Sequence, residues 1–326
     1  MSEMCVMLGD VPVVFNKEFG HYTYIDTIGK GATSIVIKAM NNKTGKMVAC
    51  KVVSRLVLMK LSQLEMFEQE LRILEKVKHK NICKLYEILY YEEVIMVVIK
   101  YCSNGDLFDY ITSLGTVGEV QCYRIILQLA KALSYLHSRK ICHRDIKPEN
   151  IVFDENMIPK LIDFGISTEV LNNARKNHCS GTFLYCPPEC FNSVQFDPMA
   201  ADIWSLGMTL YTMLFGCFPW KEQSEDEIVN FISTTQITVP PTCSQRMRMI
   251  LRRMLEFDPN LRPSADDLVN LIEKDNPHSM PIIPKITLPT STKPKKSGKC
   301  TLRESACSVI GFRPKAATMK PVYILR

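Results

Sequence analysis

The 326-residue chain lacks several things that would direct its reading. It has no CxxC pair, no eighteen-residue uninterrupted apolar run and no internal repeat. Its thirteen cysteines are an odd number, scattered and without histidine partners at zinc-ligand spacing, so neither a disulfide framework nor a structural metal site is expected. They read as reduced, mostly buried small side chains. Without a long apolar run a membrane span is not expected. The first twenty residues mix Asp10, Lys17 and Glu18 among short apolar segments, without the basic start and apolar core of a signal peptide. The net charge of +6 does not indicate a nucleic-acid surface, because residues 276–326 carry about ten Lys or Arg against one acid and leave the preceding chain at roughly −3.

Present instead is an ordinary globular composition, 46% hydrophobic and 23% charged. Short β-branched runs over 22–28, 35–39 and 47–53 predict strands, and Asn41, Asn42, Lys43, Thr44 and Gly45 form a hairpin connection. Over 61–77 the period changes. Leu64, Phe67, Leu71, Leu74 and Val77 stand three or four apart and predict an amphipathic helix. Strand patterns at 85–90 and 94–101 follow, then helical patterns, notably at 120–137 and 200–215. Strands first and helices later predict an α+β fold, a small antiparallel sheet with one main helix followed by a larger helical part. Residues 1–21 are read as an extension. From 273 onward Pro, Ser, Thr and Lys replace the periodicity and predict a disordered basic tail.

Gly29, Lys30 and Gly31 join the first two strands. Taken alone they fit a flexible hairpin as well as a phosphate-cradling loop, whose glycines let backbone N–H groups approach phosphate oxygens. A strand follows, whereas a dinucleotide fingerprint requires a helix there. The third glycine of a GxGxxG pattern would fall at position 34, which is Ser34. Lys51 ends the third strand run, and Glu70 on the amphipathic helix is a candidate partner that would hold its ammonium as a fixed charge for phosphates. The densest signal runs His143, Arg144, Asp145, Ile146, Lys147, Pro148, Glu149, Asn150, followed after an apolar stretch by Asp163, Phe164 and Gly165. Polar groups this concentrated between apolar runs rarely form a plain surface loop.

On these motifs, residues from about 22 to 272 resemble a eukaryotic protein kinase domain, with a small lobe over about 22–101 and a larger one over about 102–272. The resemblance implies ATP and Mg²⁺ as cofactors and transfer of the γ-phosphate to a protein hydroxyl. It makes Asp145 the group that orients the hydroxyl and accepts its proton, and Asn150 and Asp163 the Mg²⁺ ligands. Lys147 matches the serine/threonine-kinase lysine that contacts the γ-phosphate. Lys51 and Glu70 match the phosphate-binding lysine and its partner, and Gly29, Lys30, Gly31, Ala32, Thr33 and Ser34 the loop over the phosphates. Ile28, Val36, Ala49 and Val152 would wall the adenine, with Ile99 as gatekeeper and the backbone of Lys100 and Cys102 facing the ring. For each of these, core packing explains the residue type equally well. Leu74, Leu85, His143 and Phe164 match a hydrophobic spine. Asp106 and Glu149 are grouped with the nucleotide site. In related basophilic kinases acids at their positions meet basic substrate side chains, implying Arg or Lys upstream of the target.

The match continues through Gly181, Thr182, Tyr185, Pro187, Pro188 and Glu189, with Pro187 where alanine is usual, and implies a Glu189–Arg262 pair. Asp202, Ile203 and Trp204 match the helix that anchors the catalytic loop. Asn104 to Phe108 and Tyr211 to Gly216 look most like the calcium/calmodulin-dependent and AMP-activated-kinase-like group. His178 stands where many relatives carry a phosphorylated threonine, so activity is expected not to require phosphorylation there, with Ser180 and Thr182 left as other candidates. The tail shows no amphipathic helix suited to calmodulin, and neither calmodulin nor nucleic acid is an expected partner. A cytosolic location is expected, with residues 293–299 open to reading as a nuclear signal. A pseudokinase scaffold and a metabolite phosphotransferase remain competing readings; retention of Lys51, Glu70, Asp145, Asn150 and Asp163 speaks against the first, and of Pro188, Glu189 and Arg262 against the second.

Overall fold

The structure is a computed structural model and describes residues 3–8, 10–31, 33–169, 182–192, 195–221 and 224–274. Ala32, His178, Ser180, Gly181 and the tail from 275, with its Lys293–Lys299 run, lie outside the described residues. The chain divides into two units, one holding the residues up to Glu68 with Lys84–Tyr101, the other Gln69–Cys83 with the residues from Cys102.

In the first unit, strands β1 (Glu3–Leu8) and β2 (Val11–Asn16) form an antiparallel hairpin. Strands β3 (Glu18–Phe19), β4 (Tyr22–Lys30), β5 (Ser34–Asn41), β6 (Met47–Ser54), β7 (Leu85–Tyr90) and β8 (Val94–Lys100) form one antiparallel sheet in the order β3-β4-β5-β6-β8-β7. The connection after β5 closes as its residue types require. The Asn41 side chain accepts from the N–H of Lys43 and Thr44, and Gly45 takes φ +67°. Helix α1 (Arg55–Lys60) follows β6, capped by Ser54, whose hydroxyl accepts from Val57 N at 3.3 Å. It lies where the sequence predicted no element. The predicted helix at 61–77 begins only at Leu64, as α2 (Leu64–Lys76), because Ser62 takes φ +54° and separates the two.

Period-two alternation divides the sheet's side chains between its faces. Ile35, Ile37 and Ala39 of β5, Val48, Cys50 and Val52 of β6, and Met96 and Val98 of β8 share one fully buried face. That face is packed by Leu8, Val11, Val13 and Phe15 of the hairpin and by Phe19. Residues 1–21, read from the sequence as an extension, thus supply strands and core to this unit. The opposite face carries Val36, Ala49, Lys51, Val97 and Ile99.

The second unit is built on helices α3 (Leu107–Leu114), α4 (Glu119–His137), α5 (Glu189–Asn192), α6 (Pro198–Phe215), α7 (Glu225–Thr234), α8 (Gln245–Met254) and α9 (Ala265–Glu273). Helix α6 is its centre, buried nearly all round, with Ile203, Trp204, Leu206, Met208, Leu210 and Met213 inward. Asp197 caps its start and Gly216, in the left-handed region at φ +66°, ends it; a Cβ on Gly216 would meet the Gly115 carbonyl. Helices α4 and α8 pack on α6, and α9 packs on α4. Short strands β9 (Ile141–Cys142), β10 (Ile151–Phe153), β11 (Pro159–Leu161) and β12 (Thr168–Glu169) pair as β9-β12 and β10-β11. Among the described residues no helix is long and apolar enough to cross a membrane.

Candidate active site

Two small antiparallel pairs frame the loop that holds the polar cluster. Asn150 and Ile162 flank the β10-β11 pair, in which Ile151 faces Leu161, and Ile162 N donates to the Asn150 carbonyl at 3.0 Å. That bond sets Asn150 beside the segment leading to Asp163. At the loop's other end, buried Asp202 of α6 accepts from His143 N at 2.9 Å, Arg144 N at 2.7 Å and His137 Nε2 at 2.9 Å. Arg144 sits at φ +72° and Asp163 at φ +61°, conformations that disfavour side chains. Such strain, about 1–3 kcal/mol per residue, persists only where the surroundings overdetermine it, and the Asp202 carboxylate does so for Arg144. His143 donates through Nε2 to the Ile162 carbonyl at 3.0 Å and accepts through Nδ1 from Asp145 N at 3.3 Å, which fixes the neutral tautomer. Its ring meets Phe164 edge-on at 4.9 Å.

Asp145 is the focus. Its Oδ2 accepts from Lys147 Nζ at 2.7 Å and Asn150 Nδ2 at 2.9 Å. Its Oδ1 accepts from the Thr182 backbone N–H and hydroxyl, each at 3.3 Å. Lys147 Nζ donates also to Thr182 Oγ1 at 2.7 Å, so one ammonium bridges the carboxylate and the hydroxyl. Both carboxylate oxygens are oriented by donors, with the side chain still 15% exposed and therefore reachable. Asn150 spends its amide protons on Asp145, which leaves its amide oxygen as the remaining donor atom for a cation. Asp163 accepts from Gly165 N at 3.3 Å.

Asp106 caps α3, its Oδ1 accepting from Asp109 N at 2.8 Å, and is bridged to Val152. Removal of water by packing raises the Asp106 carboxyl above its ordinary value. Glu149 keeps an exposed edge, yet loss of water behind its carboxyl raises it too, and the negative charges of Asp106 and Asp145 add to the rise. These three acids crowd one region of the second unit.

The first unit holds the other candidates on one sheet face. Gly29 pairs with Val36, Val36 with Lys51 and Lys51 with Val97, and Ala49 stands between Lys38 and Ile99. Directly opposed residues share a face, so Gly29, Val36, Ala49, Lys51 and Ile99 line it together. Gly31 N donates to the Ser34 carbonyl at 2.8 Å and closes the loop between β4 and β5, with Lys30 and Ile28 on β4 and Thr33 on the return. Ser34 is buried as the first residue of β5. The Lys51 ammonium lies 6.0 Å from the Phe67 ring centroid. Ile99 and Lys100 end β8. Lys51 belongs to this unit, while Glu70 and Cys102 belong to the second.

A protein kinase domain model matches residues 22–271, more than three quarters of the chain. The chain belongs to the protein kinase domain family. It is 31% identical over 253 residues to CBL-interacting serine/threonine-protein kinase 9 of Arabidopsis thaliana, a match that covers 77% of this chain and 57% of that protein. It is 34% identical over 254 residues to the SNF-related serine/threonine-protein kinase of Rattus norvegicus, again 77% of this chain but 34% of that protein. The kinase domain chain thus spans between a third and just over half of the length of these relatives.

Thr182, taken from the sequence as part of the activation-segment match and as a candidate phosphosite, joins the polar cluster through its contacts with Asp145 and Lys147. The Gly181-Thr182 match was the available signal, but only folding brings a residue 37 positions away onto the carboxylate. Glu189 and Arg262 form a buried bidentate pair, Nη1 to Oε1 at 2.6 Å and Nη2 to Oε2 at 2.7 Å. Arg262 also donates to the Ala200, Glu256 and Phe257 carbonyls and stacks on Trp204, tying α5 to α6.

Proposed function

We propose that this domain transfers the γ-phosphate of ATP to Ser or Thr hydroxyls of proteins, with basic residues favoured upstream of the target. The observation that carries the reading is the Asp145 carboxylate, held on one oxygen by Lys147 and Asn150 and on the other by Thr182. A carboxylate fixed in this way can align a hydroxyl and take its proton as the phosphoryl group arrives. Lys147 puts a positive charge beside that carboxylate, where negative charge develops on the transferring group.

The donor set fits Mg²⁺. The amide oxygen of Asn150 and the carboxylate of Asp163 are hard oxygen ligands, and the crowding of Asp106, Asp145 and Glu149 leaves negative charge for a cation to offset. When bound, Mg²⁺ neutralises phosphate charge. In the first unit Lys51 is assigned to the ATP phosphates, on the sheet face that also carries Val36, Ala49 and Ile99 for adenine, and in the second unit Glu70 is the acid that the family pattern pairs with such a lysine. Ile28, Gly29, Lys30, Gly31, Ala32, Thr33 and Ser34 complete the nucleotide side, with Lys100, Cys102 and Val152. The printed names of the relatives support the Ser/Thr assignment. A cytosolic location is part of this reading, on the odd number and scattered spacing of the thirteen cysteines.

The test is transfer of labelled phosphate from ATP and Mg²⁺ to a degenerate peptide array. Label on Ser and Thr peptides with upstream Arg or Lys is expected; preference for tyrosine, acidic or proline-directed peptides would overturn the reading. Activity is expected to survive phosphatase treatment, because His178 supplies no phosphate for Arg144 to pair with. Loss of activity on that treatment would show that another phosphosite is required.

Recognition of a basic substrate needs Glu149 and Asp106 ionised. Both carboxyls are raised, so they take up protons at a higher pH than ordinary carboxylates. As pH falls through that raised range the KM for an Arg-containing peptide should climb, with its inflection above the ordinary glutamate value of 4.5. Glu149→Gln should raise KM for the Arg-containing peptide at neutral pH and flatten the profile; a rise confined to the KM for ATP would instead keep Glu149 with the nucleotide site. A wild-type KM constant down to the ordinary carboxylate range would refute this assignment.

A further inference from the structure

Helix α8 has two unlike sides. Met247, Ile250, Leu251 and Met254 are buried in the second unit's core. The outer side carries Arg248, Met249, Arg252 and Arg253 and lines a shallow, wide-open groove of about 950 Å³ whose described lining also includes Gln245 and Glu256. Arg246 also lines it, but its Nη2 donates to the Ile272 carbonyl at 2.9 Å and its guanidinium lies 5.4 Å from the Tyr123 ring. Arg248, Arg252 and Arg253 take part in no ion pair among the described residues. Arg248 and Arg252 are four apart on one helix face, a like-charge arrangement that costs a helix a few tenths of a kcal/mol. Met249 stands among these guanidinium groups with 41% of its surface exposed.

We propose that this groove is a docking site for an acidic peptide segment of a partner protein, with an apolar side chain on Met249 and flanking carboxylates on the three arginines. Guanidinium groups bind carboxylates bidentately, and an unbranched thioether adapts to varied apolar partners. This chain's own tail does not fit as the occupant, since residues 276–326 are strongly basic. Among the described residues the lining has no aromatic side chain on which nucleic-acid bases would stack. Glu256 bounds the positive run, so the partner's acids should stop before it.

The test uses the full chain labelled with ¹³C at methionine methyls, with the Met249 signal assigned through Met249→Leu. The probe is a twelve-residue peptide of Asp and Glu with one central Leu, compared with its Asn/Gln counterpart. The acidic peptide should shift the Met249 methyl saturably, with affinity falling as salt rises. The neutral peptide should not. In the R248E/R252E/R253E variant the acidic peptide should bind at least tenfold more weakly and leave the methyl unmoved, while phosphate transfer to a short basic peptide stays at the wild-type rate. The Met249 signal separates binding in the groove from binding to the basic tail. A methyl that never moves, equal peptide affinity in both proteins, or Arg-dependent binding to phosphatidylserine vesicles without peptide binding would each overturn the proposal.

Discussion

Asp145→Asn is expected to lower phosphate transfer to peptide by about 10²–10⁴-fold, the range a positioned general base contributes, while ATP affinity stays within about threefold of wild type. The substitution keeps the side chain's size and one oxygen, so the loop has no cavity to fill. What changes is acceptor count. With the amide oxygen in the Oδ2 place, Lys147 and Asn150 keep their acceptor, but the new NH₂ then faces the Thr182 N–H, another donor. The opposite orientation sets NH₂ against both Lys147 and Asn150. Either way the group that would take the hydroxyl proton is gone. A donor left facing a donor costs about 1–3 kcal/mol, so the comparison belongs at a temperature where both proteins are folded. If wild type and variant transfer phosphate equally, Asp145 is not the base. If neither transfers while both still bind ATP, the domain acts as a scaffold.

The cluster around Asp145 was readable in the sequence because its parts are contiguous. Residues 143 to 150 lie in one loop, and their order carries the chemistry whatever surrounds them. Asp202 and Arg262 were readable through motifs of their own. The positive φ of Arg144, by contrast, follows from three donors meeting one buried carboxylate, and no local sequence pattern encodes such a meeting. Helix α1 was hidden because Leu56, Val57, Leu58 and Met59 form an unbroken apolar run with no helical stripe, and only the Ser54 cap marks its start. The first hairpin was hidden for a different reason. Val11, Pro12, Val13, Val14, Phe15 does not alternate, and proline inside a run argues against a central strand. In a two-stranded ribbon each strand has a single neighbour, and Pro12 is accommodated opposite Met7.

That hairpin carries the second large expectation. Phe15→Ala should destabilise the protein by about 3–5 kcal/mol, the usual cost of truncating a buried phenylalanine. Phe15 is only 4% exposed and meets Tyr24 edge-on at 6.1 Å. Its strand alternates inward Val11, Val13 and Phe15 with outward Pro12 and Val14. The inward residues cover Ile35, Ile37, Cys50, Val52 and Val98, all of them fully buried. A domain's whole stability is about 5–15 kcal/mol, so this one truncation should be visible as a large fall in Tm. Removing residues 1–17 should be worse, because it would leave that apolar face uncovered and drive aggregation. Val14→Ala, on the outward side of the same strand, should change Tm little. If the truncated chain stays soluble with wild-type Tm and activity, the hairpin is an accessory to the kinase domain. If Tm falls with Phe15→Ala but not with Val14→Ala, its buried side belongs to the core, and the sheet face bearing Lys51, Ala49 and Ile99 is held in shape from behind by residues that precede the family match at Tyr22.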